Sequence, residues 1–310
     1  GVGALGASLA RANLNGFSYA YLNNNIVVDA SSLTVTSSWN NDVIANAIAG
    51  AAGILSGSGN QAKASASPTV SSYLGSGAVV TVSGDVNVTA HAIADACAKG
   101  TGVSVGGVSI GVSLAQAVID SDVSAYFGNN VSINAGRDII IKALHNYSVN
   151  GSKRSEKAQA LANASGGGAL VGATGANVLA SHTVQVNSYI GSGANITAGR
   201  DIIILSLGNI NGQADGNGNS GGVVGIGGVV VNVSTSGIIK AYIDSTTQSP
   251  SSVTAGSQLT INALGSSTPT VTSQQAAGGV VSGGGSSASG LVTLQVDAYL
   301  GTSGGVFKTN

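Results

Sequence analysis

NAGRDIIIKAL, from Asn134 to Leu144, returns sixty-three residues later as TAGRDIIILSL, from Thr197 to Leu207. Seven consecutive residues, AGRDIII, are identical. Such a pair is either a chemical motif used twice or one layer of a stacked structure. The stretch alternates: Ile139, Ile141 and Ala143 fall on one face, and Lys142 on the other. Val86, Val88 and Ala90 repeat the pattern, as do Ile202, Ile204 and Ser206, and then Leu259, Ile261 and Ala263. A period of two with one slim apolar face predicts strands. Gly136 and Gly199 are expected to take the preceding turn with positive φ, which costs glycine nothing.

A second phrase keeps phase with the first: a small residue, Tyr, an apolar residue, then Gly, Asn or Asp. It places Tyr21, Tyr73, Tyr126, Tyr189, Tyr242 and Tyr299 at spacings of 52, 53, 63, 53 and 57. In VSAYF and VDAYL the inward set is Val123, Ala125 and Phe127, then Val296, Ala298 and Leu300, so each Tyr points outward. A glycine-rich stretch precedes each Tyr, from GVGALGAS at Gly1 to GGVVSGGG at Gly278. Residues 1–310 therefore read as a single array of about six repeat units, the last truncated. The fold class is all-β, a parallel β-solenoid that buries its apolar face by coiling and stacking. A unit of ~53 residues is expected to hold two to three coils, which gives a rod of about 60–80 Å at ~4.8 Å per layer. The extra length around residues 145–159, HNYSVNGSKRSEKAQ, is expected to form a projecting loop insertion.

Composition agrees. Charged residues are 7%, against ~25% in ordinary domains. Glu156 is the only Glu, and Met is absent, so the straight side chains that favour helix are scarce. A hydrophobic fraction of 43% argues against a disordered linker. The net charge of -1 offers no field for a phosphate backbone, so no nucleic-acid partner is expected. The longest apolar runs, such as GGVVGIGGVVVNV from Gly221 to Val233, are shorter than the ~20 residues of a membrane-spanning helix. No membrane span and no signal peptide are expected in this segment, which begins and stops inside its pattern and reads as a piece of something longer. The lone Cys97 excludes an intrachain disulfide, and it is expected to be a buried apolar filler.

The unit of glycine-rich strand, V-x-A-Y-I-G, turn and A-G-x-D-I-x-I-x-A resembles the repeats of large bacterial filamentous adhesins. It is most similar to the leukotoxin-type filamentous adhesins within the filamentous-haemagglutinin-like class. The resemblance implies a right-handed β-helix shaft, export through a Gram-negative outer-membrane barrel, and an extracellular or cell-surface location. It supplies no active site.

The chemical candidates are few. The tyrosine column (Tyr21, Tyr73, Tyr126, Tyr189, Tyr242, Tyr299) is the candidate outward contact, a track for glycans or another copy of the chain, since Tyr joins an apolar face to a polar edge. The competing reading has each ring cover glycine backbone of the adjacent coil, with rings ~10–15 Å apart if two or three layers separate them. Asp138 and Asp201, beside Arg137 and Arg200, suit a structural corner better than catalysis, because a whole unit would put them several layers apart. His91, His145 and His182 fall at different phases and are not expected to converge on a metal. DGNGNSG, from Asp215 to Gly221, starts like a calcium loop but has Ser220 at the sixth position and Ile226 at the twelfth, and reads as a polar turn. No catalytic, metal or cofactor residues are assigned. The sequence points to a non-enzymatic shaft segment of a surface or extracellular filament. The alternatives are a self-assembling fibre, tube or matrix subunit, and a glycan-binding or glycan-cleaving β-helix.

Overall fold

The computed structural model describes residues 2–301 and 303–309; Gly1, which opens the first glycine-rich stretch, lies outside them. All regular structure among the described residues is strand. Every ladder between named strands is parallel. The chain winds into six stacked layers. Layer 1 is partial, with β1 (Gly3–Leu22) and β2 (Val27–Ala30). Layer 2 is β3 (Leu33–Leu74) and β4 (Val79–Val82), and layer 3 is β5 (Val86–Phe127) and β6 (Ser132–Ala135). Layer 4 is β7 (Ile139–His145), β8 (Ala158–Ile190) and β9 (Asn195–Ala198). Layer 5 is β10 (Ile202–Asn209), β11 (Gly212–Gly221), β12 (Val224–Ile243) and β13 (Ser252–Ala255). Layer 6 is β14 (Leu259–Ser266), β15 (Thr270–Gly278), β16 (Val281–Leu300) and β17 (Val306–Thr309).

The parallel β-solenoid is as expected, but the number of coils is not. Each unit is one coil, not two or three. Tyr21 pairs with Tyr73, Tyr73 with Tyr126, Tyr126 with Tyr189, Tyr189 with Tyr242 and Tyr242 with Tyr299. In each turn the chain runs out along one wall, reverses at a glycine-rich tip, and returns along a second wall. A four-residue strand then closes the wide end; these short strands form their own 6-stranded sheet. Each wall is about 20 residues long, or ~65 Å at ~3.3 Å per residue, whereas six layers at ~4.8 Å stand only about 25–30 Å high. The segment is a flat slab and not the 60–80 Å rod expected from the sequence.

The interior explains the flatness. At the wide end Val86, Val88 and Ala90 of the outgoing wall meet Val123, Ala125 and Phe127 of the return wall and Ile133 and Ala135 of the third side. Toward the tip the core thins to alanine, with Ala94, Ala96 and Ala98 in one cluster with Ala115 and Ala117. Layer 5 replaces alanine on both walls by glycine against valine: a Cβ on Gly216 would come within 2.6 Å of Val231 and 2.7 Å of Val229. The summed size across the gap is held nearly constant. Nearer the tip the walls meet through hydroxyls, Ser56 Oγ to Ser104 Oγ at 2.8 Å, and inside the return wall Ser113 Oγ–H donates to Asn60 Oδ1 of the layer below at 2.9 Å. At the tip itself a Cβ on Gly106 would run into the carbonyl of Gly53 in the layer below. The glycine-rich stretches are thus the places where the chain reverses.

Gly136 and Gly199 are not the positive-φ residues. The left-handed positions of the stacked coils fall at the other corner, at Asn25, Gly77, Asn130, Gly193 and Gly304, and two more, Asn146 and Gly151, lie in the excursion that follows β7. Gly136 and Gly199 are glycine for a different reason: a Cβ on either would overlap the carbonyl of the layer below, Ser83 and Gly136 respectively.

Ala160, fully buried in the alanine core, tests the fixed gap. Ala160→Leu is expected to lower stability by about 1–3 kcal/mol through overpacking, read as a shift in the denaturation midpoint. An unchanged midpoint would mean that the walls part freely.

Candidate functional site

The tyrosine column lies on the outer face of the return wall. Its six rings are spaced 4.7–4.9 Å between centroids, with interplanar angles of 1–6°. They do not cover glycine backbone, and they are not 10–15 Å apart; each ring covers the next. Stacking leaves the ring edges and hydroxyls to solvent and takes the ring faces that a sugar would need. Burial, and then the neighbouring ring of Tyr299, pushes the Tyr242 phenol up to about 12. Burial raises Tyr189 and Tyr126 in the same direction. A phenol raised above its ordinary value of 10 leaves stability intact below pH 10, and the stability is lost as pH rises through the folded value. Alkaline titration followed at the phenolate absorbance is therefore expected to show ionisation of the inner column only together with unfolding, at about pH 12. Reversible ionisation of all eight tyrosines near pH 10 would contradict the stack.

The AGRDIII corner is a clamp between layers. Asp138 and Asp201 sit one layer apart, not several, because the unit is a single coil. Asp85 Oδ1 accepts the backbone N–H of Asp138 at 3.1 Å, Asp138 that of Asp201 at 3.2 Å, and Asp201 that of Gln258 at 3.2 Å. Arg200 reaches down to Asp138 with Nε at 2.7 Å and Nη2 on the second oxygen. Arg137 lies over Asp85 at 3.4 Å. The Arg200 guanidinium holds the Asp138 carboxyl below its ordinary range. These carboxylates are committed to backbone and arginine, which leaves them poor acids or bases.

The histidines do converge in part. His145 and His182 are fully buried inside layer 4, with Nε2 to Nε2 at 2.8 Å. His182 Nδ1–H donates to the carbonyl of Asn211 at 2.9 Å. His182 Nε2 must then accept, His145 Nε2–H donates, and His145 Nδ1 is left without a partner. The equivalent positions are Ala92 and Ile119 in layer 3, and Gly208 and Thr235 in layer 5. His91 lies apart on the outer face, its Nε2 2.7 Å from the Tyr147 carbonyl. Among the described residues, no group of three or more His, Cys, Asp or Glu is placed to hold a metal ion.

Residues 146–157 leave the outgoing wall between β7 and β8. The Asn146 side chain stays in the ladder, accepting from Ala94 N at 2.9 Å and donating to Ala94 O at 3.1 Å. Tyr147 folds back onto Leu144 and Leu207 and is buried. Val149 to Ser155 are exposed, while Lys153 Nζ reaches Ser266 Oγ of layer 6 at 2.8 Å.

Two sequence expectations fail locally. DGNGNSG is not a turn but lies in β11. Its D-x-N-x-N spacing is the outer face of a period-two strand, and Asn217 Nδ2 donates to Asn163 Oδ1 of the layer below at 2.9 Å. Cys97 is not a buried filler: it faces outward, half-buried, 3.7 Å from Gln159 Oε1. Its inward neighbours Ala96 and Ala98 take the core positions.

Comparison with protein-family models, curated proteins and solved structures gave no match. Among the described residues, no helix is long and apolar enough to cross a membrane.

The buried pair carries a pH prediction. Burial lowers His182 from 6.5 to about 4, and burial followed by the charge of His182 lowers His145 well below 6.5. Stability is complete above pH 6.5 and is lost as pH falls through the folded values. For His182 alone the window amounts to ~3 kcal/mol, at ~1.4 kcal/mol per pH unit. The double variant His145→Ala with His182→Ile, which copies layer 3, is expected to hold its Tm nearly level from about pH 7 to 5 while the parent chain's falls. Parallel curves would assign acid sensitivity to other groups.

Proposed function

We propose that this chain is a non-enzymatic structural segment of a large surface-exposed or extracellular filament, of the filamentous-adhesin kind its repeats resemble. The observation that supports this reading is the ladder. Layer follows layer in register, with Tyr on Tyr, corner on corner and core on core. An applied force is shared across some fifty residues per layer, many of them hydrogen-bonded. The features that sequence reasoning had offered to chemistry are engaged in structure: the acidic corner and the tyrosine faces hold layer to layer, and the buried imidazoles join the two walls of layer 4. A glycan-cleaving role would need free carboxylates and would find these occupied. The reading as a self-assembling fibre, tube or matrix subunit is favoured by one separate observation, an uncharged apolar strip on the return wall.

Immunogold electron microscopy of the source cells tests the location: label along surface filaments supports the proposal, and label confined to the cytosol overturns it. Stretching the chain by its ends in an optical trap tests the mechanics. Peeling one coil of ~53 residues at ~3.6 Å per residue is expected to lengthen the tether in steps of about 19 nm. A single rip of the whole chain would show that the coil is not the mechanical unit.

A further inference from the structure

The outer face of the return wall beside the tip carries a pattern that appears only once the coils are stacked. At one position the layers carry Leu5, Gly57, Ile110, Ala173, Ile226 and Gly283, in order from layer 1 to layer 6. Odd layers are large and even layers small. Four residues further along the strand the series is Leu9, Gln61, Leu114, Asn177, Val230 and Ser287, again apolar on odd layers only. The large side chains are uncovered: Leu5 is 94% exposed, Ile110 52% and Ile226 55%. Between them run grooves. The groove over layer 2 is floored by Gly57, walled by Leu5 and Ile110, and has a volume of about 600 Å³. At these two positions the ridges recur every two layers, ~9.6 Å apart at ~4.8 Å per layer; two residues nearer the tip the series Gly3, Leu55, Val108, Val171, Val224 and Val281 is apolar on every layer after the first.

We propose that this face docks a second copy of the same chain, face to face, with the solenoid axes antiparallel. A two-fold axis lying in the interface along the strands sets layer n opposite layer 7 − n. That operation always places an odd layer on an even one. Leu5 then lies over Gly283, Ile110 over Ala173 and Ile226 over Gly57, each twice by symmetry. At this position the ridges of one copy fill the grooves of the other, and four residues along the strand Leu9, Leu114 and Val230 meet Ser287, Asn177 and Gln61. The strip carries no charged side chain between residues 3 and 9 of layer 1 or at the matching positions of the other layers; the first charges beyond it are Arg11 and Lys63. Pairing therefore buries no charge. Six strands by about seven residues cover on the order of 700 Å² per partner, close to the ~800 Å² of a standard stable interface. The inference is independent of the extracellular reading, and a monomeric chain would leave that reading in place.

Sedimentation velocity on the full chain tests it. Val112 of layer 3 would face Gly175 of the partner's layer 4. A Cβ on Gly175 meets nothing within 4 Å in the single chain, so Gly175→Val is expected to leave Tm unchanged or raised while weakening dimerisation at least tenfold. Adding Val112→Gly swaps knob and hole and is expected to restore the dimer. A chain that stays monomeric at about 100 μM, where a Kd of ~10 μM gives mostly dimer, overturns the proposal. So does a dimer that Gly175→Val leaves intact, or one that the swap fails to restore.

Discussion

In-register stacking of coils is the constraint on which the rest of the molecule depends. It sets every residue ~4.8 Å from its equivalents above and below. Any side chain kept in all layers must tolerate itself at that distance. Like charges do not, because two unit charges ~5 Å apart repel by roughly 1 kcal/mol even in bulk water and by more near a protein surface. The chain accordingly carries few charges; in the longest acidic stack, Asp85, Asp138 and Asp201, each is separated from the next by a backbone N–H and an arginine from the layer above, and where Asp95 stacks on Asp42 its carboxylate accepts the backbone N–H of Lys157. Tyrosine tolerates itself well through its ring faces and forms a column of six, and asparagine pairs through its amide, as Asn217 does with Asn163.

The second constraint is the narrow space between the two walls, which follows from folding ~40 residues of strand into one thin loop. Alanine against alanine fills it, and so does glycine against valine. Isoleucine is accommodated where glycine stands opposite, as at Gly208 across from Ile239. The imidazole pair of layer 4 fills the same space with polar groups. It is tolerated because three of its four nitrogens are hydrogen-bonded when both rings are neutral. The fourth, His145 Nδ1, is orphaned, so the pair costs stability relative to the Ala92 and Ile119 it replaces. Burial, which favours both rings neutral, makes layer 4 an acid-sensitive point of the interior.

Much of this was legible in the residues. Period-two alternation named the inward sets correctly at Val86, Ile139 and Ile202, and the phase of the tyrosines named their outward face. The coil number was misread because a repeat length does not say how many times the chain turns within it. The decisive signal was present and negative. Between Val86 and Gly106 there is no Asx-Gly or Gly-Ser corner, so those twenty residues cannot bend into a coil of ordinary size. The runs of alternating alanine were a second sign, since only two walls in close approach need so little volume. Misreading the coil then misplaced Asp138 and Asp201 and hid the meeting of His145 with His182. The two histidines are 37 residues apart but nearly equidistant from the tip at Gly168, once the excursion of 146–157 is set aside. Cys97 and DGNGNSG were misjudged because composition was read without the face: both lie on outer positions of strands.

The geometry also bears on what such a segment is for. A coil of ~53 residues that rises ~4.8 Å spends about 11 residues on each ångström of height. A narrow solenoid with half the residues per turn would reach twice as far. The sequence therefore invests in width more than in length. Width gives two things that length does not. Resistance to bending in the plane of the slab rises with the cube of its breadth, and the broad walls present area. On the return wall beside the tip that area is uncharged and ridged, which is the form of surface that another ridged surface can meet. Stiffness and lateral contact, more than reach, are the properties that this arrangement of residues favours.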